Sequence, residues 1–265
     1  MNTRTIRTAC ILVFGLVLVA SVCFGAMTQE QLKNRVIEIE EAYLDGSVDQ
    51  VIVKYERLSA DKPDDADYRY LLGIAYLYND FDLEGATFDA AFDELTRARE
   101  LNPTMKHVNY TLGYVYWARG EFESAIEAYR AEIELDPEDG WNYFNLGQAY
   151  ESLKEWDKAR SQYILAIDKD PTIADAYNNL GAIELNWRGD YFSALENFDK
   201  ALALKPDEKL YMINYNEAIK KLKTLRDSLD QGEVTLPSDQ VEKLKTLDLQ
   251  ELEIEGYTDT GESTE

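Results

Sequence analysis

The sequence predicts an all-α fold, a solenoid of antiparallel helix pairs, on three observations. Leu112-Gly113, Leu146-Gly147 and Leu180-Gly181 recur at a spacing of 34 residues. The apolar residues around them fall three and four apart, which is the period of one helix face. Proline closes each unit, at Pro137, Pro171 and Pro206, where a missing donor and a fixed φ end a helix.

The repeats can be laid out in order. Residues 106–139 carry Leu112, Gly113, Tyr116, Ala125, Tyr129 and Pro137, and residues 140–173 carry Leu146, Gly147, Tyr150, Ala159, Tyr163 and Pro171. Residues 174–208 carry Tyr177, Leu180, Gly181, Ala194, Phe198 and Pro206, with one extra residue in the turn around Arg188–Tyr191. Residues 66–105 carry Leu72, Gly73, Ala91, Leu95 and Pro103, with an insertion within Asn79–Phe88. Residues 32–65 form a degenerate copy, with Glu38 and Ile39 where Leu and Gly are expected. A final amphipathic helix over 209–230 is expected to cap the array, because the last pair would otherwise expose its apolar face.

Gly and Ala at the crossing points let two helices approach closely, and the aromatic residue of the second helix fills the groove beside them. This combination resembles the tetratricopeptide-repeat (TPR) family, over roughly Leu32 to Leu229. The resemblance implies a right-handed superhelix whose first helices line a concave, partner-binding face. It says little about which partner, because one fold hosts many functions.

Residues on that implied face are Tyr70, Ile74 and Leu77, then Tyr110, Tyr114 and Trp117. Next come Trp141, Phe144, Asn145 and Gln148, and finally Asn178, Asn179 and Ala182. Rigid rings supply contact area at low entropic cost, and amides can bond an extended peptide backbone, so the expected ligand is a protein or peptide. Tyr114 and Trp117 are the expected anchors. None of these positions is Lys or Arg, so a clamp for a C-terminal carboxylate is not expected.

Chemistry leaves fewer marks. Lys and Arg total 27 against 51 for Asp and Glu, a net charge of -24, which argues against nucleic acid and for basic partners. No phosphate loop, dinucleotide fingerprint, zinc-protease helix or nucleophile elbow occurs, so no cofactor and no enzymatic activity are expected. The single histidine, His107, has neither a second His nor a placed Cys to share a metal, and reads as a surface or interface residue. Asp80, Asp82 and Glu84 with Gly85 imitate the opening of a calcium loop, but the twelfth position is Ala91, not Glu, and a solvated acidic turn is the expectation. A hydrolase acting on envelope polymers would need a carboxylate pair with a raised pKa in a pocket.

Residues 1–26 hold Arg4 and Arg7, an apolar run from Ala9 to Val22, then Gly25 and Ala26, the layout of a secretory signal peptide. Cleavage after Ala26 sets bulky Phe24 three residues before the cut, whereas cleavage after Gly25 sets Cys23 there, which fits better, and neither site is ideal. Export to the periplasm or cell envelope follows, the alternative being an uncleaved anchor tethering an assembly factor to the inner membrane. Both cysteines lie in this leader, leaving none for a disulfide after cleavage. Residues 231–265 are acidic, broken by Gly232, Pro237, Gly256 and Gly261, and are expected to form a flexible tail. Val241, Leu244 and Leu247 have helical spacing within it, and the alternative is a short helix docked on a partner or on the array itself.

Overall fold

A computed structural model describes residues 27–79, 86–252 and 254. Among them every regular element is helical, and helices follow one another as consecutive packed pairs. The chain divides into two compact units, the first ending at Asp136 and the second beginning at Pro137.

The first unit holds three pairs: α1 (Gln29–Asp45) with α2 (Val48–Asp61), α3 (Ala66–Asn79) with α4 (Ala86–Leu101), and α5 (Val108–Ala118) with α6 (Phe122–Leu135). The first pair occupies the degenerate copy. Thr28 starts it with a capping box, its hydroxyl accepting from the Gln31 amide while the Gln31 side chain accepts from the Thr28 amide. Gly46, at φ 79°, ends α1 in the left-handed region. With Ile39 where the other repeats have glycine, this pair buries Ile39 and Tyr55 together with Val51 and Ile52.

The second unit holds α7 (Gly140–Ser152) with α8 (Trp156–Lys169), α9 (Ala174–Ile183) with α10 (Tyr191–Leu204), then α11 (Lys209–Asp230) and α12 (Ser238–Thr246). The extra residue foreseen near Arg188 is absorbed by a π turn, Glu184–Arg188, closed by Gly189 at φ 67°. The turn is anchored from inside: buried Glu184 pairs with Arg160 at 2.7 Å and with Arg188 at 2.9 Å.

A single contact sets the spacing within the repeats. A Cβ placed on Gly113 would lie 2.6 Å from the Tyr129 ring, on Gly147 2.6 Å from the Tyr163 ring, and on Gly181 2.7 Å from the Phe198 ring. In α3 the partner is aliphatic: a Cβ placed on Gly73 would lie 2.7 Å from Leu95 Cγ. Ala91, Ala125, Ala159 and Ala194 are likewise fully buried.

The prolines act through the residue before them. Lys62, Asp136, Asp170 and Lys205 all adopt φ between -134° and -140° with ψ between 72° and 95°. This is the extended region to which a following proline confines its neighbour, and each still donates its amide to the carbonyl four residues back.

The C-terminal segment differs from the expected flexible tail over its described residues. Leu244 (0% exposed) and Leu249 enter a core formed by Leu185, Phe192, Leu195, Tyr215, Ile219 and Leu222. Arg226 of α11 donates to the carbonyls of Leu244 and, at 2.7 Å, Leu247, satisfying orphan acceptors at the end of α12. Buried Asn216 exchanges two hydrogen bonds with the backbone of Ile254, at 2.7 and 2.9 Å. The alternative reading holds here: the helix announced by Val241, Leu244 and Leu247 docks on the array, with Leu244 fully buried.

Two stability measurements test this packing. Gly→Ala inside a helix normally gains about 0.5–1 kcal/mol from backbone entropy. Gly147→Ala is expected to lose about 1–3 kcal/mol instead, read as a lower denaturant midpoint, because the methyl must displace a buried ring. Leu244→Ala is expected to cost about 2–5 kcal/mol, as for any buried leucine; a mobile tail would show no change.

Candidate partner-binding surfaces

In the first unit, α3 and α5 present the residues assigned to the face. Their depth differs from the expectation drawn from position alone. Tyr70 and Ile74 of α3 are buried, Ile74 completely, and Tyr110 of α5 is buried with its ring edge-on to Tyr129 at 6.1 Å. Those three pack between helices. Tyr114 and Trp117, one turn apart on α5, remain partly exposed and share a helix face.

The start of α5 is held by a buried carboxyl group. Glu132 of α6 is fully buried and accepts from the backbone amides of His107 at 2.5 Å and Tyr110 at 3.4 Å. A carboxylate here satisfies orphan donors and meets the positive end of the helix. His107 is therefore no surface residue: it is buried, sits at φ 71° before the first turn, and its Nδ1 lies 3.8 Å from Glu132. Burial lowers its pKa to about 4, so the ring is neutral at physiological pH.

In the second unit, Trp141 packs edge-on to Phe144 at 5.5 Å, and Phe144 lies 5.8 Å from the Tyr163 ring. Phe144, Asn145 and Asn178 are buried; Trp141, Gln148 and Asn179 are partly exposed. The Asn145 amide donates to the Trp141 carbonyl at 3.0 Å.

Asn178 and Asn179 belong to a polar chain that runs across four helices. Tyr163 donates to Glu151, Asn179 donates to the Tyr163 hydroxyl at 3.3 Å, Asn178 donates to Asn179 at 3.2 Å, and Asn214 donates to Asn178 at 2.8 Å. Glu151, Tyr163 and Asn214 were absent from the residues assigned to the partner-binding face, because their hydrogen bonds join positions 12 to 36 residues apart and no local pattern records them.

Among the described residues no group of three or more His, Cys, Asp or Glu is placed to hold a metal, and no helix is long and apolar enough to cross a membrane. The calcium-loop residues Asp80, Asp82 and Glu84, and the leader over 1–26, lie outside the described residues. One carboxyl stands out: Asp67 has its pKa raised by burial and lies beside Asp65. Asp67 accepts from the Met27 backbone amide and Asp65 accepts from the Asp67 amide, so both serve the chain's own backbone.

Consecutive helix pairs, three of them spaced by a glycine-to-ring contact, define a helix-repeat protein of the α-solenoid class. The repeats are similar to those of one known family, whose model, described as "Tetratricopeptide repeat", matches residues 83–140, 110–172 and 144–209. Solved structures agree on the fold. A crystal structure of MamA is 26% identical, with a TM-score of 0.56 over 63% of this chain and 94% of that one. YrrB, described as a TPR protein with an unusual peptide-binding site, is 22% identical with a TM-score of 0.53 over 67% of this chain and 88% of its own. TTC0263, a thermophilic TPR protein of Thermus thermophilus, is 20% identical with a TM-score of 0.53 over 71% of this chain and 98% of its own. A search of curated proteins returned no match.

The His107 environment predicts a pH effect of definite sign. A histidine whose folded pKa is depressed stabilises the fold above its unfolded pKa, near 6.5, and that stability is lost as pH falls toward about 4. As the sole histidine, its ring protons should titrate by NMR with a midpoint near 4. His107→Gly, which suits the left-handed backbone, should lose less stability than the native chain between pH 6.5 and 4 in urea unfolding.

Proposed function

We propose that this chain is a non-enzymatic scaffold of the bacterial periplasm or cell envelope that holds a protein or peptide segment against the first-helix faces of its repeats. The observation that carries the reading is the pair of partly exposed aromatic side chains, Tyr114 and Trp117, one helical turn apart on α5. Rings of this kind, fixed to a rigid helix, lose little entropy on contact and commonly dominate binding energy. Trp141, Gln148 and Asn179 offer a second such surface within the second unit. Asn178, tied up between Asn179 and Asn214, is a positioning element there rather than a ligand contact.

A net charge of -24 favours a basic partner and faster encounter at low salt. YrrB supports the mode, being a TPR protein with a peptide-binding site, although its likeness to this chain is one of fold. Export rests on the leader, with Arg4 and Arg7, the apolar run and the small residues Gly25 and Ala26.

The test is a peptide-library selection against the purified protein, followed by calorimetric affinities of the selected sequences. Basic sequences are expected, binding more weakly as salt rises. Tyr114→Ala with Trp117→Ala should weaken them by roughly tenfold or more, corresponding to about 1.4 kcal/mol. Unchanged affinity in a variant that keeps its helical spectrum would move the site off α5.

A further inference from the structure

We infer that Met27 is the N-terminal residue of the finished protein, and that its free ammonium is held by the buried carboxylate of Asp67. The inference rests on the export reading and adds to it the position of the cut and the group that receives the new end.

The backbone nitrogen of Met27 lies 2.5 Å from Asp67 Oδ2. Asp67, in the first turn of α3, is only 6% exposed, and among the described residues it makes no ion pair with Lys or Arg. The charged groups beside it are Asp65, which accepts from its amide and repels its charge, and Lys62 and Asp64 along the same cleft. A buried carboxylate facing a second carboxylate calls for a cation. In the uncut chain it receives one neutral amide hydrogen from Met27.

Cleavage changes that nitrogen into the missing cation. Water adds across the Ala26–Met27 peptide bond, catalysed by a signal peptidase of the export machinery. The C–N bond breaks, Ala26 leaves with a carboxylate, and the Met27 nitrogen takes up protons to become an ammonium with three donors. No movement of Met27 is needed, because the atom already sits at the carboxylate.

The Met27 side chain packs on the first unit's core, and Thr28 caps α1 immediately afterwards. Ala26 is the small residue directly before the cut, and the seat at Asp67 favours this site over the one after Gly25 despite bulky Phe24 three residues before it. Cleavage after Gly25 would interpose Ala26 between the ammonium and the seat the structure provides.

The full chain, expressed with its own leader in a bacterium, allows each part to fail separately. Intact mass and N-terminal sequencing of the accumulated product should give Met27. Labelling of the N-terminal amine at pH 7, followed on the N-terminal peptide by mass spectrometry, should be about tenfold slower than in Asp67→Asn. This corresponds to an ammonium pKa raised by roughly one unit above the usual 7.7–8.0. Should Asp67→Asn not fold, native protein compared with the same protein in urea gives the equivalent contrast. An uncut chain would overturn the export reading itself. A product starting at Ala26 or elsewhere would leave export standing and overturn the assignment of Met27. A product starting at Met27 whose amine labels equally fast in native, variant and denatured protein would overturn the pairing with Asp67.

Discussion

The absence of one carbon atom governs this structure. Where Gly113, Gly147 and Gly181 stand, a Cβ would lie within 2.7 Å of an aromatic ring from the partner helix. The ring is therefore pressed against backbone, and the distance between the two helices is fixed by the thickness of a tyrosine or phenylalanine rather than by adjustable side chains. Close packing transmits that constraint outward, because protein interiors have little slack. Leu95 opposite Gly73 shows that a branched aliphatic side chain can serve in the same place.

Buried polar groups specify what this apolar contact leaves open. Glu132 holds the start of α5, Glu184 ties α8 to the π turn through Arg160, and Asn216 fastens the C-terminal segment to α11. Each is a group that would be costly to bury without its partner. Each links elements separated by many residues, so together they specify which apolar faces meet. In the second unit a hydrogen-bonded chain from Glu151 through the Tyr163 hydroxyl and the amides of Asn179 and Asn178 to Asn214 has the same effect along four helices.

Much of the fold was legible in the sequence because covalent spacing carries it. Leu-Gly, the small residue of the second helix, its ring and the proline each sit at fixed offsets, and helix geometry converts offset into direction. Depth is a different property. Tyr70, Ile74, Tyr110 and Phe144 occupy positions of the expected face, yet neighbouring helices cover them, and no local pattern records how closely a neighbour approaches. His107 illustrates the same gap: its burial follows from Glu132, 25 residues away, and its positive φ from the turn preceding α5. The C-terminal segment was misjudged for an opposite reason. Composition averages over a window, whereas docking depends on a few residues, Leu244 and Leu249 together with the hydrogen bonds of Arg226 and Asn216.

The π turn at Glu184–Arg188 bears on how such a chain can change through time. One additional residue is accommodated within five, and α10 resumes with Phe198 still seated on Gly181. Length variation at this elbow is thus decoupled from the contact that spaces the helices. An array made of such units tolerates insertions at its corners while its interior stays constant, so new loops can be tried without re-solving the core. The exposed Trp187 on this turn, 6.3 Å from the Trp156 ring, shows what an elbow of that kind can carry: a large side chain at the surface while Phe198 stays seated on Gly181.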